Sequence, residues 1–156
     1  MKKRVRRSMI TLTTAVMMSA AGVVSTASPA VAAPQVSFGS PGEQADGSRY
    51  ISIGIDGARA GFVLWAANPD STEWSDKGDT LIVRDSRTDG MAISANVVQA
   101  GSGSTYLLSA STSGLKAPAL VKRTKNAPEG KKLLVRPCVT KGSSIVACGP
   151  YYSIHA

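Results

Sequence analysis

Histidine occurs once in the 156 residues, at His155, and cysteine twice, at Cys138 and Cys148. That scarcity argues against a Cys/His metal site, because the two cysteines are not spaced as C-x-x-C and no second ligand cluster accompanies them. No G-x-S-x-G turn is present, so a Ser-His-Asp hydrolase would have to rest on His155, close to the end of the sequence where chains usually fray. No window combines the 3.6-residue apolar period with caps, which argues against helices. A two-carboxylate glycosidase is compatible with the ten Asp and Glu, but a chain this small seldom forms a deep cleft. A small secreted hydrolase is therefore the last choice, and a non-enzyme is expected.

What is present begins with a leader. Lys2, Lys3, Arg4, Arg6 and Arg7 precede an apolar and small-residue run, Ile10 to Val24, and Ala30-Val31-Ala32 forms an A-x-A cleavage signal. Residues 1–32 read as a signal peptide cut between Ala32 and Ala33. The run is too short and too rich in Ser, Thr and Ala to favour a permanent membrane span. Arg6-Arg7-Ser8-Met9-Ile10 loosely fits a twin-arginine signal, so the export route stays open. Cleavage removes five of the eighteen basic side chains and none of the ten acidic ones, leaving a net +3. A nucleic-acid reading built on the whole-chain pI of about 9.8 is misplaced, and aromatic residues do not interleave with the basic ones as single-strand binding would want. Export places the cysteines in an oxidising compartment.

Residues 33–47 read as a linker with one short strand around Val36 to Phe38, and 48–156 as a single domain. Ile51, Ile53 and Ile55 alternate onto one face and run into Asp56-Gly57, a strong hairpin signal. Ala60 to Ala67 carries Phe62 and Leu64 on one face and Val63 and Trp65 on the other, as a central strand covered on both sides would. Leu81 to Arg84, Met91 to Val97, Tyr106 to Leu108 and Ala119 to Val121 follow. The expected fold is all-β, an antiparallel sandwich of Ig-like or Greek-key type with about seven to nine strands, and a small barrel is the alternative.

The chain ends in a hairpin. Leu133-Leu134-Val135 and Ile145-Val146-Ala147 flank a Lys141-Gly142-Ser143-Ser144 turn. Pairing residues whose numbers sum to 286 sets Cys138 opposite Cys148, a geometry suited to a disulfide, and sets Val135 opposite Tyr151. Pro137 and Gly149-Pro150 should interrupt the pairing below the staple.

Gly78-Asp79-Thr80-Leu81, Asp85, Asp89-Gly90 and Ile93, followed by Cys138-Val139-x-Lys141-Gly142-x-Ser144-x-x-x-Cys148, resemble small secreted actinobacterial β proteins of unknown function. Such proteins often carry Tyr-Gly after the Asp-Gly, where this chain has Met91-Ala92. The resemblance implies secretion and a β fold, and supplies no reaction, ligand or site residue.

Candidate sites are few. Asp70, Glu73, Asp76 and Asp79 recur every third residue and could offer oxygens to Ca2+, the one cofactor considered, although the spacing matches no calcium loop and a solvated acidic loop is the simpler account. Asp79, Asp85 and Asp89 sit where turn-forming side chains bond nearby backbone. Trp74, among polar neighbours, is a candidate to stack on a sugar or anchor a protein, or else folds back as a lid over the core. Tyr152 is the second ligand candidate; it alternates with Tyr151, so one of the two should be buried. Basic residues from Lys116 to Lys141 face only Glu129 and suit an anionic cell-wall polymer or an acidic protein, or simply keep edge strands soluble. A monomeric surface-binding module for an extracellular protein, glycan or cell-wall polymer is expected, with no nucleic acid and no membrane once the leader is removed. A hydrolase inhibitor using a loop held by the staple is the alternative.

Overall fold

The computed structural model describes residues 32–74, 77–101 and 106–156; all but the last residue of the expected leader, and the candidate ligand Asp76, lie outside the described residues. Strand formation follows the sequence alternation closely. β1 (Val36–Gly39) lies along β2 (Arg49–Ile55), and β2 turns into β3 (Ala58–Ala66) through Asp56-Gly57. Both turn residues have positive φ, 51° and 76°, the backbone that a two-residue type I′ hairpin demands and that Asp-Gly tolerates. β4 (Thr80–Asp85), β5 (Ala92–Gln99), β6 (Tyr106–Ser111), β7 (Ala119–Thr124), β8 (Lys132–Lys141), β9 (Ser144–Cys148) and β10 (Tyr152–His155) complete an all-β chain.

Two antiparallel five-stranded sheets result. The first has the order β1-β2-β3-β4-β7; the second has β10-β8-β5-β6, with β9 also paired to β8. The chain leaves the first sheet after β4, forms β5 and β6, returns as β7 beside β4, and leaves again for β8 beside β5. This interleaving is of Greek-key type. Ten strands among the described residues, rather than seven to nine, arise because β1 is a full strand, paired over its whole length, and because the last extended stretch is cut into β9 and β10. Ala33–Ala156 forms one compact unit, so β1, within the stretch read as linker, belongs to it.

The core lies between the sheets. Ile51, Val63, Trp65, Leu81 and Val83 from the first meet Ile93, Val97, Leu133, Val135 and Ile154 from the second, all essentially inaccessible to solvent. Each such side chain contributes about 1.5–3 kcal/mol of apolar transfer energy. The sheets approach closely at Gly61, where a Cβ would lie 2.0 Å from the Arg84 carbonyl oxygen and 2.5 Å from Ile93 Cδ1, so only glycine fits. β3 is covered on both sides: Phe62, Leu64 and Ile82 form a second, outer cluster capped by Tyr50 and Trp74.

In the hairpin, Cys138 pairs with Cys148 and forms a disulfide, and Val139 opposes Ala147. Beyond the break the expected register is off by one, since Val135 faces Tyr152 rather than Tyr151; Gly149-Pro150 inserts the extra residue. The pairing across the hairpin is interrupted at Pro137 and Gly149-Pro150, as expected, between the Cys138–Cys148 and Val135–Tyr152 pairs, while on its other edge β8 runs on unbroken, with Ala95 of β5 opposite Pro137. The Pro137 carbonyl accepts from Gly149 N–H at 2.9 Å, and in a strand a residue's nitrogen points to the same side as its carbonyl. The missing donor therefore faces the gap between β9 and β10, and no bond to β5 is lost.

The last residues are held rather than frayed. Trp65 Nε1 donates to the His155 carbonyl at 2.7 Å, Ala156 N–H donates to Lys131, and Gly130 N–H donates to Ala156. A fully buried Ile154 explains why: its apolar burial outweighs the chain-end entropy that the fraying expectation assumed.

Candidate functional site

Strand phase places two groups of polar side chains, one on the outer face of the first sheet and one at an end of the sandwich. Because Ile51, Ile53 and Ile55 point inward, Tyr50 and Ser52 point outward. Cross-strand register then carries the outward row Ser52, Phe62, Arg84, Leu120 and the neighbouring row Tyr50, Leu64, Ile82, Lys122. Phe62 is the hinge of an aromatic row, with its ring centroid 5.2 Å from Tyr50 and 5.8 Å from Trp74. Arg59 lies over Tyr50 at 5.9 Å and Arg84 over Trp74 at 5.2 Å, and Arg59 Nη2 also donates to the Tyr50 hydroxyl. Asp85 is the only acid in these five strands, and it is buried on the inner side. Phe62 is itself only 4 % exposed, so the face offers solvent the half-buried Tyr50 and Trp74 with their guanidinium partners, a combination that engages anions by charge and offers ring edges for apolar contact.

Trp74 is half-buried against the outer cluster, beside Phe62 and under Arg84, rather than over an open end of the main core. Of the other acidic candidates on that connection, Asp70 (φ 54°) and Glu73 are exposed. Asp79 is 5 % exposed, and its Oδ2 accepts from Ala127 N–H at 2.8 Å. Its Oδ1 is sealed from solvent without a partner. Burial pushes the Asp79 carboxyl above the ordinary carboxylate range, the Ala127 N–H opposes this, and the Glu129 charge adds to it. Asp79 shares a small cavity with Asn126 and Glu129, not with Asp70 or Glu73. Among the described residues no three His, Cys, Asp or Glu side chains gather as a metal site.

Tyr152 is half-buried, its hydroxyl donating at 3.5 Å to the Phe38 carbonyl and Arg49 lying 5.6 Å from its ring centroid. Burial raises its pKa and Arg49 lowers it; the hydroxyl contact links β10 to β1. Tyr151 is the exposed member of the pair, under the Arg136 guanidinium. Ala32 and Ala33 are exposed. His155 Nδ1 bonds Glu43 Oε1, and among the described residues no serine hydroxyl bonds the ring.

The second group lies at the other end of β4. The β4–β5, β6–β7 and β8–β9 connections border an open cavity of about 340 Å³, lined by Asp85, Arg87, Met91, Leu115 and Lys116 among others. Asx turns set its walls: Asp85 Oδ1 accepts from Arg87 N–H and Asp89 Oδ1 from Met91 N–H, each at 3.0 Å. Both are the local bonds that the sequence suggested, whereas Asp79 reaches 48 residues along the chain. Thr112 locks the opposite wall by accepting from Ile93 N–H at 2.9 Å. Burial pushes the Asp85 carboxyl upward, the Arg87 N–H opposes this, and Asp89 adds to it.

Sequence reasoning selected Trp74 but missed Tyr50, Phe62, Arg59 and Arg84. Their signal was the outward phase of the β2 and β3 alternation. The end cavity had no such signal, because its lining comes from three separate connections. No family model, curated protein or solved structure matches the chain. Among the described residues, no helix is long and apolar enough to cross a membrane.

Proposed function

We propose that the protein is an exported, non-catalytic binding module that contacts an anionic extracellular glycan or cell-wall polymer through the outer face of its first sheet. The observation that carries this reading is the half-buried Tyr50 and Trp74, set by the buried Phe62 between them, with Arg59 and Arg84 over their rings and Lys122 beside them. Sugar rings stack on aromatic faces, and guanidinium and ammonium groups meet carboxylates or phosphates through charge-assisted hydrogen bonds. The Cys138–Cys148 bond suits an oxidising compartment, as the leader does. The test is retention of residues 33–156 on isolated cell walls and on an array of anionic and neutral glycans. Retention should weaken with salt and fall at least tenfold in Arg59→Ala/Arg84→Ala and in Lys122→Glu, whose exposed side chain leaves the fold intact. No retention on any surface, or equal retention by these variants, rejects the reading.

A second reading, inhibition of an extracellular hydrolase, is favoured by the β8–β9 tip. Lys141 to Ile145 projects beyond the disulfide, with Ile145 69 % exposed, and a loop held rigid binds at lower entropic cost. Unchanged activity of a panel of secreted proteases and glycosidases at micromolar protein removes it.

A further inference from the structure

The end cavity offers a site independent of the outer face. Asp85 is 4 % exposed, and its Oδ1 is taken by the Arg87 N–H. Its Oδ2 accepts no bond from a described residue, yet it is not among the oxygens sealed from solvent, so it opens on the cavity that Asp85 lines. The guanidinium two residues on is engaged elsewhere: Arg87 Nη1 donates to the Ile55 carbonyl at 3.0 Å, and Arg87 Nε faces Asp89 Oδ2 at 3.5 Å. A nearly buried carboxylate oxygen therefore looks into a space whose other walls include Met91, Ala92, Ala117 and Leu115, the last 54 % exposed.

We infer that this cavity is a binding site for a primary ammonium carried on a short apolar stem, with Asp85 as its counter-ion. Three features select that chemistry. A charged donor to a carboxylate in a poorly solvated place makes a bond roughly twice as strong as a neutral donor does. Guanidinium recognition uses both carboxylate oxygens in a fork, and here one is already occupied, so a single-point ammonium fits better. A hard divalent cation needs six or more oxygens, whereas Asp85 is the sole carboxylate lining this cavity among the described residues. Lys116 at the rim would meet an acidic group on the same ligand, but the Asp85 contact does not need it. The ammonium could belong to a free amine or to a lysine side chain of a polypeptide, since both present the same group on the same stem.

The experiment is an NMR titration of residues 33–156 with n-butylammonium, with the neutral 1-pentanol, with pentanoate, and with Nα-acetyl-lysine methylamide. Butylammonium should give saturable shifts confined to the amides of Asp85, Arg87, Met91 and Thr112, with a dissociation constant on the order of millimolar, as a ligand of so few atoms allows. Asp85→Asn keeps the acceptor for the Arg87 N–H and should weaken butylammonium at least tenfold, its own amide spectrum reporting that the fold persists. Should that variant fail to fold, the pentanol and pentanoate arms decide on the wild type. Tighter binding of the lysine derivative than of butylammonium points to a polypeptide side chain, and the reverse to a free amine. No saturable shift from either amine, equal binding of pentanol, or preference for pentanoate overturns the inference.

Discussion

Reducing the Cys138–Cys148 bond tests how the hairpin is held. The two cysteines are ten residues apart in sequence, and closing a loop of that length restricts the unfolded chain by about 2.7 kcal/mol at 25 °C on the chain-entropy account. The folded state should change little on reduction, because β8 stays paired along β5 from Leu133 to Thr140 and Cys138 stays buried. Most of the effect should therefore come from the unfolded chain. In a domain of this size each kcal/mol moves the melting temperature by roughly 4 °C, so reduction should lower it by ~10 °C. Calorimetry with and without a phosphine reductant, paired with thiol titration to prove reduction, reads this directly. The urea m-value should rise at the same time, as the freed chain expands on unfolding. A fully reduced protein melting within ~2 °C of the oxidised one would refute the reasoning and place the stability of the hairpin in its β8 pairing alone.

Other consequences are measurable by the same means. Asp79→Ala removes the acceptor for the buried Ala127 N–H and puts alanine at φ 48°, so it should cost about 2–4 kcal/mol in urea unfolding; Asp79→Asn, which keeps the acceptor and tolerates that backbone, should be near neutral. Burial raises both the Asp79 and Asp85 carboxyls above their ordinary value of 3.8, so the folded state holds those protons more tightly than the unfolded one. Their contribution is fully present below pH 3.8 and is lost as pH rises through the folded pKa values. Stability of the Asp79→Asn/Asp85→Asn variant should therefore fall less on raising the pH from 4 to 7, and an unchanged slope would contradict this. Ile154→Ala should destabilise by about 2–5 kcal/mol because the side chain is fully enclosed, whereas a frayed terminus would show almost no effect.

The parts of the fold governed by short-range rules were legible. Period-two alternation located β2, β3 and β5, Asp56-Gly57 named its turn, and equal spacing about the hairpin turn set Cys138 against Cys148. What failed to show was set by contacts distant in sequence. The grip on His155 comes from Trp65, 90 residues earlier, and nothing local to His155 announces it. Pro137 and Gly149-Pro150 announced the break in the hairpin pairing, but not that β8 would stay paired with β5 through Pro137, because which edge a missing donor faces depends on the neighbouring strand. For the candidate sites, Trp74 stood out by its polar neighbours, while Arg84 becomes its partner only through packing of the connection onto β4.

The long reach from Trp65 to His155 also bears on when the molecule can fold. A chain made from its first residue onward has β1 to β4 available early, yet the acceptor for the central indole and the Ile154 wall of the core are not present until residues 154 and 155 have emerged. Contacts of such large sequence separation slow folding, so the growing chain should stay open until residues 154 and 155 have emerged, with the first sheet awaiting its second. A ribosome-bound chain ending before residue 154 should remain protease-sensitive, and one extended past residue 156 by a linker long enough to clear the exit tunnel should become resistant.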